Sequence, residues 1–289
     1  MITCNFSGNF GNALIQYAIT RTVAHENNYL FGFNPRFNYD YHNGYNQLDF
    51  LDLDYGIIHD ASFHEMPEGI INIWEEKYHT MRYPNGDTFD WHPLQCDVFD
   101  IPDNTKLVVR CMQDARYYDK NLLRIFIKIK KSKEEEYSGW LKNNNISLDK
   151  NTCIINVRGG EYLGIPHVLL NKQYWDSAIE IMKELHNDNI KFIVVTDDPV
   201  YASKLFPNFK IIIYEIGMDY YILNNAKNLI ISNSSFAIMP VWLNKYNPFV
   251  IAPKYWARHN ISTGYWASSS MNTFEEWNWL GNERDFYEL

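Results

Sequence analysis

From Cys153 to Ala252 short β-branched runs alternate with helical periodicities, and this alternation constrains the fold more than any other feature of the chain. The runs 153–157, 192–196, 211–214, 229–232 and 249–252 are mostly apolar, broken only by Asn156, Thr196 and Ser232, without the polar/apolar alternation of a half-wet strand. Strands apolar on both faces must be covered on both faces. The intervening helices supply the cover. The segment 171–186 puts Trp175, Ala178, Ile179, Met182 and Leu185 on one stripe, 199–205 follows Asp197-Asp198, and 234–244 carries Pro240, which bends or starts it. Repeats of this kind build a parallel sheet wrapped by helices, the α/β class.

The first half opens in the same way. Met1 to Phe6 is a short apolar run, Ser7-Gly8-Asn9-Phe10-Gly11-Asn12 a glycine-containing turn, and Ala13 to His25 a helix with Leu14, Tyr17 and Ala18 on one face. Strand, glycine turn and helix begin a Rossmann-like unit. Tyr29 to Asp103 is irregular, rich in Asn, Asp, His and aromatics, and reads as loops and short elements. Lys106 to Met112 reads as a buried strand, and Lys120 to Lys142 as two helical pieces with the charged run Lys130 to Glu136 between them. The polar Asn143-Asn144-Asn145 marks a boundary near residue 150. A chain of 289 residues then divides into 1–150 and 151–289, with the tail expected to pack back on the N-terminal half.

In open parallel sheets ligands bind outside the carboxyl ends of the strands. That rule selects Arg158-Gly159-Gly160-Glu161-Tyr162 after the run 153–157, Asp197-Asp198 after 192–196, and Asn233-Ser234-Ser235 after 229–232. An arginine beside two glycines can approach a diphosphate closely and bind it with two donors. A helix start bearing serines attracts anions, and a carboxylate accepts from a sugar hydroxyl or a base N–H edge. Each residue also has a plainer role open to it: Ser234 and Asp197-Asp198-Pro199 as helix caps, Arg158 and Glu161 as partners in an ion pair.

Composition removes several classes. With 26 basic and 35 acidic residues the net charge is −9, and no basic stripe is present, which excludes a nucleic-acid polymer as ligand. Hydrophobic residues at 46% suffice for a sizeable core. The 21 Tyr and 9 Trp suit stacking on sugars and bases, although a bias toward Tyr, Asn and Ile accounts for them equally well. Cys4, Cys96, Cys111 and Cys153 are scattered without a paired spacing, so neither a disulfide framework nor a zinc site is expected. There is no leader-like N-terminus and no apolar run of about 18 residues. The expectation is a cytoplasmic protein without a transmembrane segment, at most peripheral to the membrane.

At these residues the chain resembles the α-1,2-fucosyltransferases. Gly8-Asn9-Phe10-Gly11-Asn12-Ala13-Leu14-Ile15-Gln16-Tyr17-Ala18 is similar to that family's GxLGNQxxQYA. Met112-Gln113-Asp114-Ala115-Arg116-Tyr117-Tyr118 is similar to FQSxKYF, and Asn156-Val157-Arg158-Gly159-Gly160-Glu161-Tyr162 stands where HxRRGDY is found, followed by His167-Val168-Leu169-Leu170. Thr196-Asp197-Asp198-Pro199, Asn233-Ser234-Ser235-Phe236 and Val250-Ile251-Ala252-Pro253-Lys254 resemble SDDP, NSSFSWW and VIAPK. Order and spacing agree from Gly8 to Trp256.

The resemblance implies a GT-B fold, two Rossmann-like domains with parallel sheets facing across a cleft. It implies an inverting, metal-independent transfer of fucose from GDP-fucose to O2 of a galactose-like residue, on an oligosaccharide or lipid-linked glycan, with no cofactor. Arg158 and Glu161 are the catalytic candidates. Gly8, Gly11, Asn12, Asn156, Arg158, Gly160, Asp197, Asp198, Asn233, Ser234, Ser235 and Phe236 are the donor-binding candidates, and Gln113, Asp114 and His167, with the aromatic segment Phe33 to Tyr45, are the acceptor candidates. The chain departs from the pattern in having Asn156 for His, Gly159 for the second Arg and Glu161 for Asp, and in lacking the Trp pair after Phe236. These departures leave open another nucleotide sugar, a substitute cation such as Arg258, or a non-catalytic nucleotide-sugar or glycan-binding protein. An NAD-type oxidoreductase is disfavoured because Gly8 and Gly11 lack the third glycine of GxGxxG.

Overall fold

The structure, a computed structural model, describes residues 1–36, 47–62, 64–82, 88–91, 93–110, 112–166, 168–257, 267–268, 274, 276–280 and 286–287. The chain divides into two compact units, Met1–Lys133 and Glu134–Leu289. Each is built on its own largely parallel sheet, as the α/β reading requires.

In the first unit β1 (Ile2–Cys4) lies between β2 (Phe31–Phe33) and β7 (Thr105–Val108), with β3 (Ile57–Ile58) and β4 (Asn72–Glu75) at the two edges, all parallel. A separate hairpin pairs β5 (His79–Arg82) with β6 (Thr88–Trp91). The irregular 29–103 stretch therefore contributes three strands to the sheet. Helix α1 (Phe10–Glu26) starts a turn earlier than the periodicity indicates, and it is buried on every side from Ala13 to Ala24. A helix buried all round is a core element, not an amphipathic cover. Tyr17 stacks on Phe33, and Phe33 on Phe6, with centroids at 5.1 and 5.2 Å. Helix α2 (Lys120–Phe126) is capped by Asp119, which accepts from the N–H groups of Asn121 and Leu122.

The second unit orders its strands β10–β9–β8–β11–β12–β15–β16. These are Lys210–Ile212, Lys191–Thr196, Thr152–Val157, Asn228–Ile230, Phe249–Pro253, Asn278–Leu280 and Phe286–Tyr287, and all pairs are parallel except β15–β16. In chain order this is the 3-2-1-4-5-6 sequence of a doubly wound sheet, extended by one antiparallel strand. A further antiparallel pair joins β13 (Tyr255–Ala257) and β14 (Ala267–Ser268). The described part of the tail supplies β15 and β16 to this sheet. Trp277 stacks on Phe274 at 4.7 Å and Phe274 meets Trp242 edge-on, so the aromatic tail covers apolar surface of its own unit.

Helix α3 (Lys131–Asn143) takes the charged run as its exposed first turns and keeps Tyr137 and Leu141 buried. The run is therefore helix and not linker. Helix α4 (Lys172–Leu185) begins at Asn171, whose side chain accepts from Tyr174 N–H, and buries Trp175, Ala178, Ile179 and Met182 as expected. Leu185 is exposed, because the stripe runs out at the last turn. Helix α5 (Pro199–Leu205) follows Asp198, and α7 (Ser235–Trp242) follows Ser234 with Pro240 in its interior. Between them lies α6 (Ile216–Asn225), a helix the sequence reading passed over.

Candidate nucleotide-binding site

The order of the second sheet reverses between β8 and β11, so the segments leaving those two strands diverge to opposite faces and open a crevice at the carboxyl edge. The predicted residues of this unit gather there: Arg158 to Glu161 leave β8, Asp197 and Asp198 leave β9, and Asn233 to Phe236 leave β11. Arg158 is the centre of the cluster. Its Nη1 donates to Asp197 Oδ2 at 2.5 Å, its Nη2 lies 3.6 Å from Glu161 Oε2, and its guanidinium sits over the Tyr162 ring at 5.4 Å. The Glu161 side chain is largely in solvent, at 71% exposure, so its share of the pairing is screened.

The two glycines allow this arrangement by their lack of a side chain. Gly159 donates its N–H to Asp197 Oδ1 at 2.8 Å, and a Cβ on Gly159 would stand 2.6 Å from the Asp198 Cβ. Gly160 has φ +43°, and a Cβ there would meet Asp197 Oδ2 at 2.5 Å. The chain after β8 is thus packed directly on the start of α5. Gly159, which replaces the second arginine of the resembled family, has no room for any side chain.

Several candidates also hold local structural roles. Asp198 caps α5 by accepting from Tyr201 N–H at 2.9 Å, and Ser234 caps α7 by accepting from Phe236 N–H at 3.3 Å. Asn156 is buried within β8, its Oδ1 accepting from Ser232 Oγ at 3.1 Å, which ties the two strands of the switch point together. Asn233 donates from Nδ2 to Val168 O at 2.9 Å. Tyr174 of α4 donates its hydroxyl to Ile231 O at 2.6 Å, fixing the end of β11 from behind. These bonds hold the rim of the crevice. Ser235 and Phe236 are half-buried at its edge.

Asp219 is the residue that sequence reasoning missed. It lies in the first turn of α6, which follows β10 to the same edge. Its Oδ1 is sealed from solvent without a hydrogen-bond partner. Burial, and secondarily the negative charge of Asp197, push its carboxyl well above the ordinary aspartate range. A buried carboxyl with an unused oxygen beside a cleft is a site in search of a donor. The signal available in sequence was the spacing of Met218 and Ile222, flanked by the carboxyl-edge loop Ile213 to Glu215. Asn244 keeps α6 in place, donating to Leu223 O and Ala226 O at 3.0 and 2.8 Å.

The first unit's candidates gather at its own switch point, between β1 and β7. Gly8, Gly11 and Asn12 follow β1; Gln113 and Asp114 follow β7. Asp114 is buried and already held by Arg116, through Nε at 2.9 and 3.1 Å and Nη2 at 2.5 Å. An acceptor hydroxyl there would meet an ion pair, not a bare carboxylate. Phe33 belongs to the core and not to an exposed platform; 37–45, His167 and Arg258 lie outside the described residues. No cluster of His, Cys, Asp or Glu suited to a metal ion occurs among the described residues, and no described helix is long and apolar enough to cross a membrane.

No family model matches the chain. The chain is similar to the O-antigen biosynthesis glycosyltransferase WbnK of Escherichia coli, 27% identical over 128 residues, which cover 40% of this chain and 42% of that protein. It is also similar to an alpha-1,2-colitosyltransferase of Escherichia coli, 30% identical over 120 residues, 37% of this chain and 41% of that protein. The chain thus matches about two-fifths of the length of these curated relatives. Among solved structures, the fucosyltransferase NodZ from Bradyrhizobium aligns over 83% of this chain and 91% of its own, with a TM-score of 0.48 and 14% identity.

Proposed function

We propose that the chain is a glycosyltransferase of GT-B type that binds a nucleoside diphosphate sugar at the β8/β11 crevice and passes the sugar to a glycan hydroxyl. The observation that carries the reading is the convergence of Arg158, the side-chain-free Gly159-Gly160 turn, the Ser234-Ser235 helix start and the Asp219 carboxyl on one edge. These are the groups a diphosphate and a base require, and the blocks that resemble the α-1,2-fucosyltransferases supply most of them. The curated glycosyltransferase relatives support the same class.

In this reading Arg158 and the N–H groups opening α7 stabilise the departing diphosphate, which is where negative charge grows. With those donors in place the transfer needs no metal and no cofactor. The acceptor hydroxyl attacks the anomeric carbon from the face opposite the leaving group, with inversion. Departure of the diphosphate runs ahead of proton loss from the attacking hydroxyl, and Glu161 is the carboxylate we assign to that proton. Asp219, once ionised, accepts from the paired N–H groups of a guanine edge. GDP-fucose is therefore the first donor to test, with O2 of a galactose-like residue as acceptor atom. The colitose named for one relative makes other sugars the next. The first unit, with Gln113 and the turn after β1, takes the acceptor side, which we place on a cytoplasmic or lipid-linked glycan.

Calorimetric titration with GDP, GDP-fucose, UDP and a deoxythymidine diphosphate sugar, in chelator, tests the reading. GDP binding to the wild-type chain and its loss in Arg158→Ala are expected. Preference for another nucleotide would reassign the base, and binding of none would exclude the donor site. The Gly159 departure favours a second reading, a protein that binds the nucleotide sugar without transferring it; binding without turnover would establish that.

A further inference from the structure

Arg158, the phosphate-binding candidate, is occupied in this structure by carboxylates of its own chain. Asp197 Oδ2 takes Nη1 at 2.5 Å and Asp197 Oδ1 takes the N–H of Gly159 at 2.8 Å, so one carboxylate spans both a cation and a backbone donor. That is the pattern of contacts a phosphate oxygen pair would make with an arginine and a glycine turn. Both side chains are mostly sheltered, Arg158 at 21% and Asp197 at 29% exposure, which strengthens their pairing relative to the screened contact with Glu161.

We infer that Asp197 is a built-in stand-in for the donor diphosphate: it holds Arg158 and the Gly159 N–H, and an entering diphosphate displaces it. The inference rests on the donor site proposed above. It adds a specificity function to a residue that the sequence reading lists only as a donor-binding candidate. A ligand must offer more negative charge than one carboxylate to take Arg158 away from Asp197. A diphosphate does so by a wide margin, and a monophosphate, with about −1.5 to −2 charges at neutral pH, by a smaller one. The exchange forms and breaks ionic contacts only, and no bond or proton is transferred. The site thus discriminates by charge before it discriminates by base, and the cost is a weaker intrinsic affinity for the correct ligand. The geometry of Gly160 reinforces the lock, since Asp197 Oδ2 lies where a Cβ would be and so is closely backed by the turn.

Inorganic pyrophosphate and inorganic phosphate separate this role from base recognition, because neither carries a base. Their binding to the full chain is measured by calorimetry for wild type, Arg158→Ala, Asp197→Asn and Asp197→Ser. Asn at 197 retains an oxygen for the Gly159 N–H and loses only the charge. Pyrophosphate is expected to bind Asp197→Asn about tenfold more tightly than wild type, from the loss of one competing charge-assisted bond. Asp197→Ser removes the charge by a second route and is expected to move in the same direction, which covers a failure of the first variant to fold. Unchanged or weaker pyrophosphate binding in the folded variants, with binding still abolished in Arg158→Ala, would overturn the stand-in and leave the donor site intact. Pyrophosphate binding that survives Arg158→Ala, or is missing from wild type, would instead overturn the donor site itself.

Discussion

Gly159 is the residue at which sequence and structure are most instructive together. From the sequence it is a lost arginine; in the fold it is a position where a Cβ would stand 2.6 Å from Asp198 and 3.0 Å from Tyr201. Restoring the arginine by Gly159→Arg is therefore expected to lower the melting temperature and to weaken nucleotide binding; tighter binding would refute the packing argument. Gly160→Ala places a side chain at φ +43° and against Asp197, and should cost about 1–3 kcal/mol in denaturant unfolding. Asp219 gives a prediction of opposite sign. Burial, and after it the charge of Asp197, raise its carboxyl well above the ordinary aspartate value of 3.8, so the folded state prefers the protonated form. Between 3.8 and that raised value the folded chain binds more protons than the unfolded one, and stability falls as pH rises. Asp219→Asn should relieve this, melting higher than wild type at neutral pH by a margin that shrinks toward pH 4. If the same residue reads a base edge as a carboxylate, the variant will also bind GDP more weakly. A variant that is both less stable and equal in binding would remove Asp219 from the site.

At the scale of elements, legibility followed length and locality. Strands β8, β9 and β12 and helices α4 and α5 could be read because each is a run of five or more residues with one period, bounded by Asn171, Asp198 or a similar cap. Strands β2, β3 and β4 hold only two to four residues each, and their identity depends on neighbours far along the chain. No window of sequence carries that information. Helix α6 went unread because apolar residues fill most of its length and leave a weak polar face; Asp219 was missed with it. Tyr174 shows how an element supports the site from behind. Its hydroxyl reaches Ile231 O at 2.6 Å, just before the Asn233 to Ser235 turn. Tyr174→Phe should cost about 1–2 kcal/mol in chemical denaturation, the penalty for a buried carbonyl left short of a donor. It should also raise the GDP dissociation constant a few-fold through the displaced turn. An unchanged denaturation midpoint would show the bond to be dispensable.

At the scale of the whole molecule, the described candidate residues separate into two groups, one at the carboxyl edge of each unit's sheet. Each sheet reverses its order once, β1/β7 in the first unit and β8/β11 in the second; four of the family-like blocks fall at those two points, while Thr196 to Pro199 follows β9 and Val250 to Lys254 lies on β12. The placement was legible because the rule concerning carboxyl ends needs only strand order, while the occupancy of Arg158 by Asp197 and of Asp114 by Arg116 needed coordinates. The account stands or falls on transfer. The deciding measurement is a metal-free incubation of the full chain with GDP-fucose and a panel of galactose-terminated oligosaccharides, read by NMR for the anomeric configuration of any product. The account predicts a fucosylated product whose anomeric configuration is opposite to that of the donor, absent with Arg158→Ala. A product of retained configuration, or nucleotide binding with no transfer from any sugar nucleotide tried, would contradict it.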